Sequence, residues 1–125
     1  MQILDIELEP RPFQRPRFNR GRGFNDPKYD QFKQKLKYFL ICKSPKCHEK
    51  NVGVKIVFSM PMPKKKPKWP YPSLCDIDNL IKAVFDAGNG ILWSDDRHIV
   101  KVEATKQYDY VPGIYIEVRE LCHTE

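Results

Sequence analysis

The sequence has no apolar run that approaches the roughly 20 residues needed to cross a membrane, and hydrophobic residues make up only 41% of its 125 residues. Its beginning, Met1 to Asp5, lacks the pattern of a secretory signal peptide. Internal repeats are also absent. We therefore expect a cytoplasmic protein that has no membrane partner.

Cysteine is scarce and irregularly spaced, with four residues in the chain. Cys42, Cys47 and His48 look like half of a zinc site, but no second pair of ligands follows at the spacing of a zinc finger. Free thiols in a reducing compartment are the better interpretation, and they include Cys75 and Cys122. For His48 we expect no chemical role.

Acidic charge is in deficit, since 22 Lys and Arg residues stand against 16 Asp and Glu residues and leave a formal net charge of +6. The length suits a single domain over residues 1–125 with a core of its own. A basic domain of this size favours a polyanion such as nucleic acid as its partner. Simple solubility is the alternative explanation where the charge is not clustered.

The charge is, however, clustered in two segments, and the first is the basic arm, residues 11–24, which contains five arginines and no acidic residue. Arginine can donate two hydrogen bonds to one phosphate, and the interleaved rings of Phe13, Phe18 and Phe24 can stack on unpaired bases. A solvated loop is the alternative. The candidate DNA contacts in the arm are Arg15, Arg17, Arg20 and Arg22.

The second segment is the basic loop, residues 61–72, which is too rich in proline for regular structure and too basic for the interior. It leads into Asp76, where its charge can offset the repulsion between acidic side chains and a nucleic acid. Trp69 or Tyr71 can insert among bases by stacking. The candidate DNA contacts in the loop are Lys64, Lys65, Lys66, Lys68 and Trp69. The tail, residues 121–125, is expected to fray.

A helix of about three turns is predicted after Asp78, with Asp76 in extended chain two residues before its cap. Asp78 is expected to cap it, and residues 88–90, Gly-Asn-Gly, are a strong signal for its end. Lys82 lies one turn from Asp78 on the polar face, and we interpret Asp86 as its i,i+4 partner. Apolar residues recur at helical spacing and define a stripe that faces the core, namely Leu80, Ile81, Val84, Phe85 and Ala87.

Carboxylates lie at both ends of this helix-and-turn unit, with Asp76 and Asp78 at its start and Asp95 and Asp96 at its end. Crowded carboxylates repel one another, so a cluster is stable mainly around a cation, and oxygen ligands favour Mg²⁺ or Mn²⁺. Such an ion lowers the pKa of a water and neutralises charge on a phosphodiester, while Lys82 can donate to the transition state. The alternative is structural, because aspartate is common at helix caps and turns.

These residues form a longer motif, Asp76-x-Asp78-Asn79-Leu80-x-Lys82-Ala83, then Asp86-Ala87, Gly90 and Trp93-x-Asp95-Asp96-x-x-Ile99. The motif resembles the signature of the RusA family of Holliday-junction resolvases. The resemblance implies a small homodimeric endonuclease that depends on Mg²⁺ or Mn²⁺, uses no small-molecule cofactor and nicks four-way DNA junctions symmetrically. It also implies that Asp76, Asp78 and Asp96 bind the metal, that Asp95 assists them, and that Lys82 is catalytic or holds a phosphate.

The predicted order of elements is β-α-β-α-β-β, which indicates a two-layer α+β domain whose mixed four-stranded sheet has both helices on one face. The first helix starts at Asp26-Pro27, and its aromatic stripe is assigned to the core. The second strand is expected to be covered on both faces, and a hairpin-like turn at 109–113 joins the last two strands. Strands are predicted over residues 2–9, 52–59, 99–105 and 113–118.

Taken together, the residues and the resemblance predict a metal-dependent endodeoxyribonuclease that resolves Holliday junctions by paired symmetric nicks during DNA recombination and repair. Its partners are branched DNA and a second copy of the chain. One alternative is a nuclease for flaps or forks. Others are a non-catalytic DNA-binding protein whose aspartates are only caps, and a small phosphotransferase that uses the same carboxylates on a nucleotide.

Overall fold

The computed structural model describes residues 1–13, 17–19, 22–24, 27–43 and 45–121, with 17–19 and 22–24 described through their backbone alone. The elements in these ranges are β1 Gln2–Ile6, β2 Arg17–Asn19, β3 Arg22–Phe24, α1 Pro27–Cys42, β4 Val52–Pro61, α2 Ile77–Gly88, a 3-10 helix Asp96–His98, β5 Ile99–Asp109 and β6 Gly113–Glu120. Neither α-helix in the described ranges combines the length and the apolar character that crossing a membrane requires.

Four strands form one mixed sheet in the order β1-β6-β4-β5. β5 runs parallel to β4, whereas β6 is antiparallel to both β4 and β1. The buried side chains of β4 alternate along the strand and lie on one face of the sheet, which the helices cover. The prediction of a two-layer α+β domain with a mixed four-stranded sheet and two helices is therefore confirmed. The buried residues of β4 are Val52, Val54, Ile56, Phe58 and Met60.

Two details of the predicted sheet are wrong. The second face of β4 carries an exposed Lys55 and a half-buried Val57, so the strand is not covered on both faces. β5 and β6 do not pair as a hairpin either, because both pair with β4 and lie on its two sides. The strand with the most buried side chains takes the position between them, and residues 110–112 pass across its end.

The two helices bury the stripes that their spacing predicts. In α1 the prediction is confirmed by four buried residues, Tyr29, Phe32, Leu36 and Leu40, with Phe39 partly buried. In α2 the most deeply buried residues are Leu80, Ala83, Val84 and Ala87, while Ile81 and Phe85 are partly buried. Both helices therefore pack on one core with the sheet, and α2 presents its polar face outward.

Part of the basic arm forms a two-stranded antiparallel hairpin, β2–β3, which the sequence did not predict. Arg17 pairs with Phe24, and Arg22 pairs with Asn19. The side chains of both strands lie outside the described residues, as do Arg15 and Arg20 entirely. The DNA contacts expected in the arm therefore stay predictions.

Candidate active site

The predicted acidic motif lies at the start of α2. Asp76 is the N-cap residue, with an extended backbone (φ −69°, ψ 132°), and its carbonyl accepts from the Leu80 amide at 3.2 Å. The prediction that Asp78 caps the helix is wrong, because helical hydrogen bonding starts earlier and leaves Asp78 in the first turn. The Asp78 carboxylate accepts from the adjacent Asn79 amide at 2.9 Å.

The Asp76 carboxylate is not used to cap the helix. Its side chain makes no capping hydrogen bond, although aspartate at this position commonly accepts one from the first turn. Asp76 and Asp78 are both exposed, and they lie at the positive end of the helix dipole, which stabilises negative charge. Their oxygens are therefore accessible to a cation.

The second acidic pair lies at the 3-10 helix in front of β5. Asp95 caps this helix by accepting from the Arg97 amide at 3.0 Å, and this bond, helped by the charges of Arg97 and His98, holds the pKa of Asp95 below its ordinary value. Asp96 is half buried and begins the 3-10 helix, which packs against α2. The chain thus brings the element that carries Asp96 beside the helix that carries Asp78.

The four aspartates lie on neighbouring elements but are not gathered around one point. Among the described residues, no three His, Cys, Asp or Glu side chains lie close enough together to hold one metal ion. The assignment of Asp76, Asp78 and Asp96 as ligands, with Asp95 as helper, therefore stays a prediction. Their chemistry fits a hard cation, because every donor is a carboxylate oxygen and the Asp76 carboxylate makes no cap.

Lys82 lies on the polar face of α2, as predicted. Its ammonium is 3.8 Å from the Asp86 carboxylate, which confirms Asp86 as the i,i+4 partner, and 4.9 Å from the centre of the Phe13 ring. The side chain of Lys82 is nevertheless 52% exposed. A carboxylate and an aromatic ring thus hold an ammonium that a phosphate can still reach.

Phe13 has a role that its place among the arm's aromatic residues did not reveal. It is partly buried against the core rather than free to stack on bases. Its amide donates to the Asn79 carbonyl at 2.8 Å, and its ring meets that of Tyr29 edge-on at 5.5 Å. Phe13 therefore fastens the start of the basic arm to α2 and supplies the ring beside Lys82.

Tyr29 lies behind this pair with a buried hydroxyl that has no hydrogen-bond partner among the described residues. Burial, followed by the negative charges of Asp86 and Asp30, raises the pKa of Tyr29 well above its ordinary value. The Tyr29 hydroxyl therefore holds its proton more firmly than an exposed tyrosine does, and Lys82 is the described cation that pairs with Asp86.

A second lysine, Lys106 on β5, supports the segment in front of α2. Its ammonium donates to the Cys75 carbonyl at 2.6 Å, across 31 positions of sequence. This bond ties the residue before Asp76 to the edge of the sheet. Nothing in the spacing of the sequence indicates the contact, because it joins β5 to the segment before α2 across 31 positions.

The turn between α2 and the acidic pair is built around Trp93, which is fully buried. Its indole nitrogen donates to the Asn89 side chain at 2.9 Å, and its ring lies so close to Gly88 that a β-carbon there would approach to 2.7 Å. Gly90 has a φ of 81°, a conformation that favours glycine. Two residues of the motif, Gly90 and Trp93, thus have structural roles in the turn that leads to Asp95.

His48 is bonded to the same turn through its backbone. Its amide donates to the Leu92 carbonyl at 2.9 Å, and its carbonyl accepts from the Ser94 amide at 2.9 Å. The His48 side chain is buried, with Nδ1 2.9 Å from a Glu120 carboxylate oxygen and Nε2 2.8 Å from the Gln2 amide nitrogen. The residues next to His48 in the sequence do not indicate these hydrogen bonds, because the partners of its side chain, Gln2 and Glu120, come from the two ends of the chain.

The hydrogen bonds of Gln2 assign the ring tautomer of His48. The Gln2 side-chain oxygen accepts from the Lys46 amide at 2.8 Å, which fixes the amide orientation and leaves the Gln2 nitrogen to donate. Nε2 of His48 must then accept, and Nδ1 must donate to Glu120. Both ring nitrogens of His48 therefore have a hydrogen-bond partner. The name His48 cluster is used below for Gln2, Lys46, His48 and Glu120.

The basic loop extends from β4 toward Asp76, and apart from Pro61, the last residue of β4, it contains no helix or strand, as predicted. Trp69 is 62% exposed, and the Lys68 ammonium lies 5.8 Å from the centre of its ring. The loop therefore presents cations and an aromatic face next to the acidic motif, an arrangement that suits a polyanion. The exposed residues that were predicted to contact DNA here are Lys64, Lys65, Lys66, Lys68 and Trp69.

The sequence of this chain is similar to those of known proteins. A family model described as endodeoxyribonuclease RusA matches residues 7–119. The matched range contains both helices of the structure and Asp76, Asp78, Asp95 and Asp96. It therefore covers the whole candidate site rather than one short motif.

Two relatives are similar over shorter ranges. The crossover junction endodeoxyribonuclease rusA of Lactococcus phage r1t is 38% identical over 91 residues, which cover 69% of this chain and 70% of the phage protein. The uncharacterized protein YqaN of Bacillus subtilis (strain 168) is 35% identical over 46 residues, which cover 37% of this chain and 32% of that protein. The first match extends over more than two thirds of both chains.

Proposed function

The chain belongs to the RusA family of endodeoxyribonucleases, and we propose that it resolves Holliday junctions during DNA recombination and repair. The proposed reaction is a metal-dependent hydrolysis that nicks two opposed strands of a four-way junction at symmetric positions. A homodimer suits this task, because two equivalent sites match a junction that has near two-fold symmetry. The proposed compartment is the cytoplasm.

The observation that carries the proposal is the Asp76 side chain, which occupies a cap position but makes no cap. An aspartate retained for stability alone would be expected to accept a hydrogen bond from the first turn. We propose that Asp76, Asp78 and Asp96 instead hold Mg²⁺ or Mn²⁺, with Asp95 assisting. The ion, when bound, neutralises charge on the phosphodiester and lowers the pKa of a water.

The chain's own groups have separate tasks in this proposal. Lys82 donates to a phosphate oxygen on which negative charge increases in the transition state, while Asp86 and Phe13 keep its ammonium in reach. The basic loop and the basic arm bind phosphates on either side of the scissile bond and offset the repulsion between DNA and the carboxylates. Because like charges repel, we expect the three carboxylates to approach one another only around a cation.

Replacing Asp78 by asparagine tests the proposal. Asp78→Asn keeps an oxygen that can accept from the Asn79 amide but removes the charge, so folding should survive while cleavage of a synthetic four-way junction in Mg²⁺ is lost. The matched control is Asp30→Asn, which removes an exposed aspartate from the first turn of α1. Wild type and control should give paired nicks with Mg²⁺ and none with EDTA.

The same assay separates the alternatives when a fork, a flap and a plain duplex are included. Preferential cleavage of forks or flaps would indicate a nuclease for other branched DNA. Binding of the junction without cleavage under any metal would indicate a non-catalytic DNA-binding protein. Full activity of Asp78→Asn would exclude the ligand assignment.

A further inference from the structure

The short segment in front of α2, residues 72–75, has few polar contacts. Pro72 is buried and Cys75 is half buried, whereas Leu74 is 90% exposed. Among the described residues, the segment takes part in one hydrogen bond, which the Lys106 ammonium donates to the Cys75 carbonyl at 2.6 Å. Lys106 is therefore the polar contact that holds this segment in the described structure.

Lys106 reaches the segment from the face of the sheet that the helices cover. It pairs with Phe58 of β4, which is 1% exposed and lies in the core. Paired residues of neighbouring strands point to the same face of a sheet, so the aliphatic part of Lys106 lies on that face at the edge strand β5. Lys106 is half buried there, which restricts the positions that its ammonium can take.

The Lys106 ammonium binds a neutral group rather than an acid. Among the side chains that the structure describes, no carboxylate forms an ion pair with it. A cation withdrawn from water is usually compensated by an opposite charge, whereas here the charge is directed at one peptide carbonyl. A hydrogen bond from a charged donor is shorter and stronger than one between neutral groups. The contact can therefore hold the Cys75 carbonyl in a fixed orientation.

The Cys75 carbonyl belongs to the peptide group that leads into Asp76. Helix α2 does not use this carbonyl, because its first described bond runs from the Leu80 amide to the Asp76 carbonyl. A peptide group is planar, so Lys106 fixes the plane on one side of the Asp76 α-carbon and the Leu80 amide fixes the plane on the other. Together they set the direction in which the Asp76 side chain leaves the backbone, while its carboxylate makes no cap.

An ordered backbone at Asp76 favours the binding of a cation. Among the described residues, no three potential ligands are gathered around one point, so an ion must draw carboxylates together against their repulsion. Fixing the backbone of a residue costs conformational entropy. Where a bond such as that from Lys106 has already ordered the backbone, this cost belongs to folding and does not reduce the affinity for the ligand.

We propose that Lys106 is a positioning residue for Asp76. Its ammonium holds the peptide group in front of Asp76 and so presents the Asp76 carboxylate to a divalent cation. The inference rests on the proposed function, in which Asp76 is a metal ligand, and adds a residue that acts on this ligand through the backbone. Loss of the bond should therefore weaken metal binding while the fold survives, since groups that orient a metal ligand commonly contribute about ten- to hundredfold in affinity.

Substitution of Lys106 tests the proposal through Mn²⁺ binding to the full chain, measured by electron paramagnetic resonance at a temperature where circular dichroism shows the chain folded. Lys106→Met keeps an aliphatic side chain but removes the donor, and should raise the Mn²⁺ dissociation constant by about tenfold or more. Lys106→Arg keeps a charged donor and should restore most of the affinity. The matched control is Lys101→Met, which removes the same charge from the opposite face of β5 and should bind Mn²⁺ as wild type does.

The outcomes separate this inference from the nuclease proposal. Weaker Mn²⁺ binding in Lys106→Met, with Lys106→Arg and Lys101→Met close to wild type, supports it. If Lys106→Met does not fold, Lys106→Gln gives the same comparison, because its amide is one bond too short to reach the Cys75 carbonyl. Wild-type affinity in either folded variant overturns the inference, and the nuclease proposal then still stands on cleavage by wild type and its loss in Asp78→Asn. A wild-type chain that binds no Mn²⁺ would overturn both.

Discussion

The His48 cluster and the acidic residues Asp76, Asp78 and Asp96 both flank the turn at 88–95. They differ in the burial and the hydrogen bonding of their side chains. The His48 side chain is buried, and both of its ring nitrogens are bonded. Asp76 and Asp78 are exposed, and the Asp76 carboxylate leaves its cap unmade. Buried polar groups stay bonded because an unsatisfied one costs stability, whereas exposed carboxylates are free to bind a ligand. Removal of the buried His48 side chain should therefore lower stability, and changes in the acidic residues should lower activity.

The largest effect is expected at Asp96. Asp96→Asn should lower the single-turnover rate on a four-way junction by about a thousandfold or more, roughly 4 kcal/mol, because a ligand charge is lost. Asp95→Asn retains an oxygen for the Arg97 amide and should cost only about tenfold, since Asp95 is the helper. Equal losses of rate for the two variants would contradict the assignment of Asp96 as a ligand and of Asp95 as a cap that only assists.

A large loss of stability is expected at His48. His48→Ala removes one bonding partner from each of Gln2 and Glu120 and opens a cavity, so the free energy of unfolding should fall by about 2–4 kcal/mol in urea. Lys46→Ala is the control, because the Lys46 side chain is 68% exposed and its ion pair with Glu120 is weak. If His48→Ala unfolds at the same urea concentration as wild type, the His48 side chain does not stabilise the fold.

A smaller effect on rate is expected at Phe13. Phe13→Leu removes the ring beside the Lys82 ammonium and should slow cleavage by about three- to tenfold, whereas Phe13→Tyr keeps a ring and should retain the rate. In a Lys82→Ala background, Phe13→Leu should have no further effect on the rate. If it slows cleavage equally in both backgrounds, Phe13 acts on the fold rather than through Lys82.

The smallest effect is a pH dependence at Glu120. The hydrogen bond from His48, then the charge of Lys46, holds the pKa of Glu120 below its ordinary value. A depressed pKa adds stability above the unfolded-state pKa, which is about 4.3 for glutamate, and this stability is lost as the pH falls through the folded-state pKa. The difference in unfolding free energy between wild type and Glu120→Gln should therefore shrink as the pH falls below about 4. A difference that stays constant from pH 7 to pH 3 would exclude this linkage.

Local patterns were sufficient to predict most elements of the fold. The alternation of β4 and the helical stripes of α1 and α2 depend on neighbours in sequence, and the structure buries those faces. The order of the sheet was not predictable in the same way, because β5 and β6 follow each other in the chain but are separated by β4. The central position of β4 depends on how much of each strand is buried in the whole sheet, and the local sequence pattern of one strand does not contain that information.

In the candidate site, too, features that depend on local sequence were predictable and contacts between distant residues were not. The positions of Asp76, Asp78, Lys82 and Asp96 on one helix-and-turn unit were predictable because their spacing is a local property, while their roles as ligands and as catalytic lysine stay predictions. The supports of the site were not, since Phe13 reaches Asn79 and Lys106 reaches Cys75 across long stretches of chain. The cap was misassigned from Asp76 to Asp78 because both are aspartates, and only the first hydrogen bond of the helix distinguishes them.

The most direct test of the central claim is anomalous diffraction from a crystal of this protein soaked in Mn²⁺. We expect a manganese peak bonded to carboxylate oxygens of Asp76, Asp78 and Asp96, at about 2.2 Å as for other hard divalent cations, and no such peak in Asp76→Asn. Manganese bound elsewhere, or those three side chains remaining apart at saturating Mn²⁺, would contradict it.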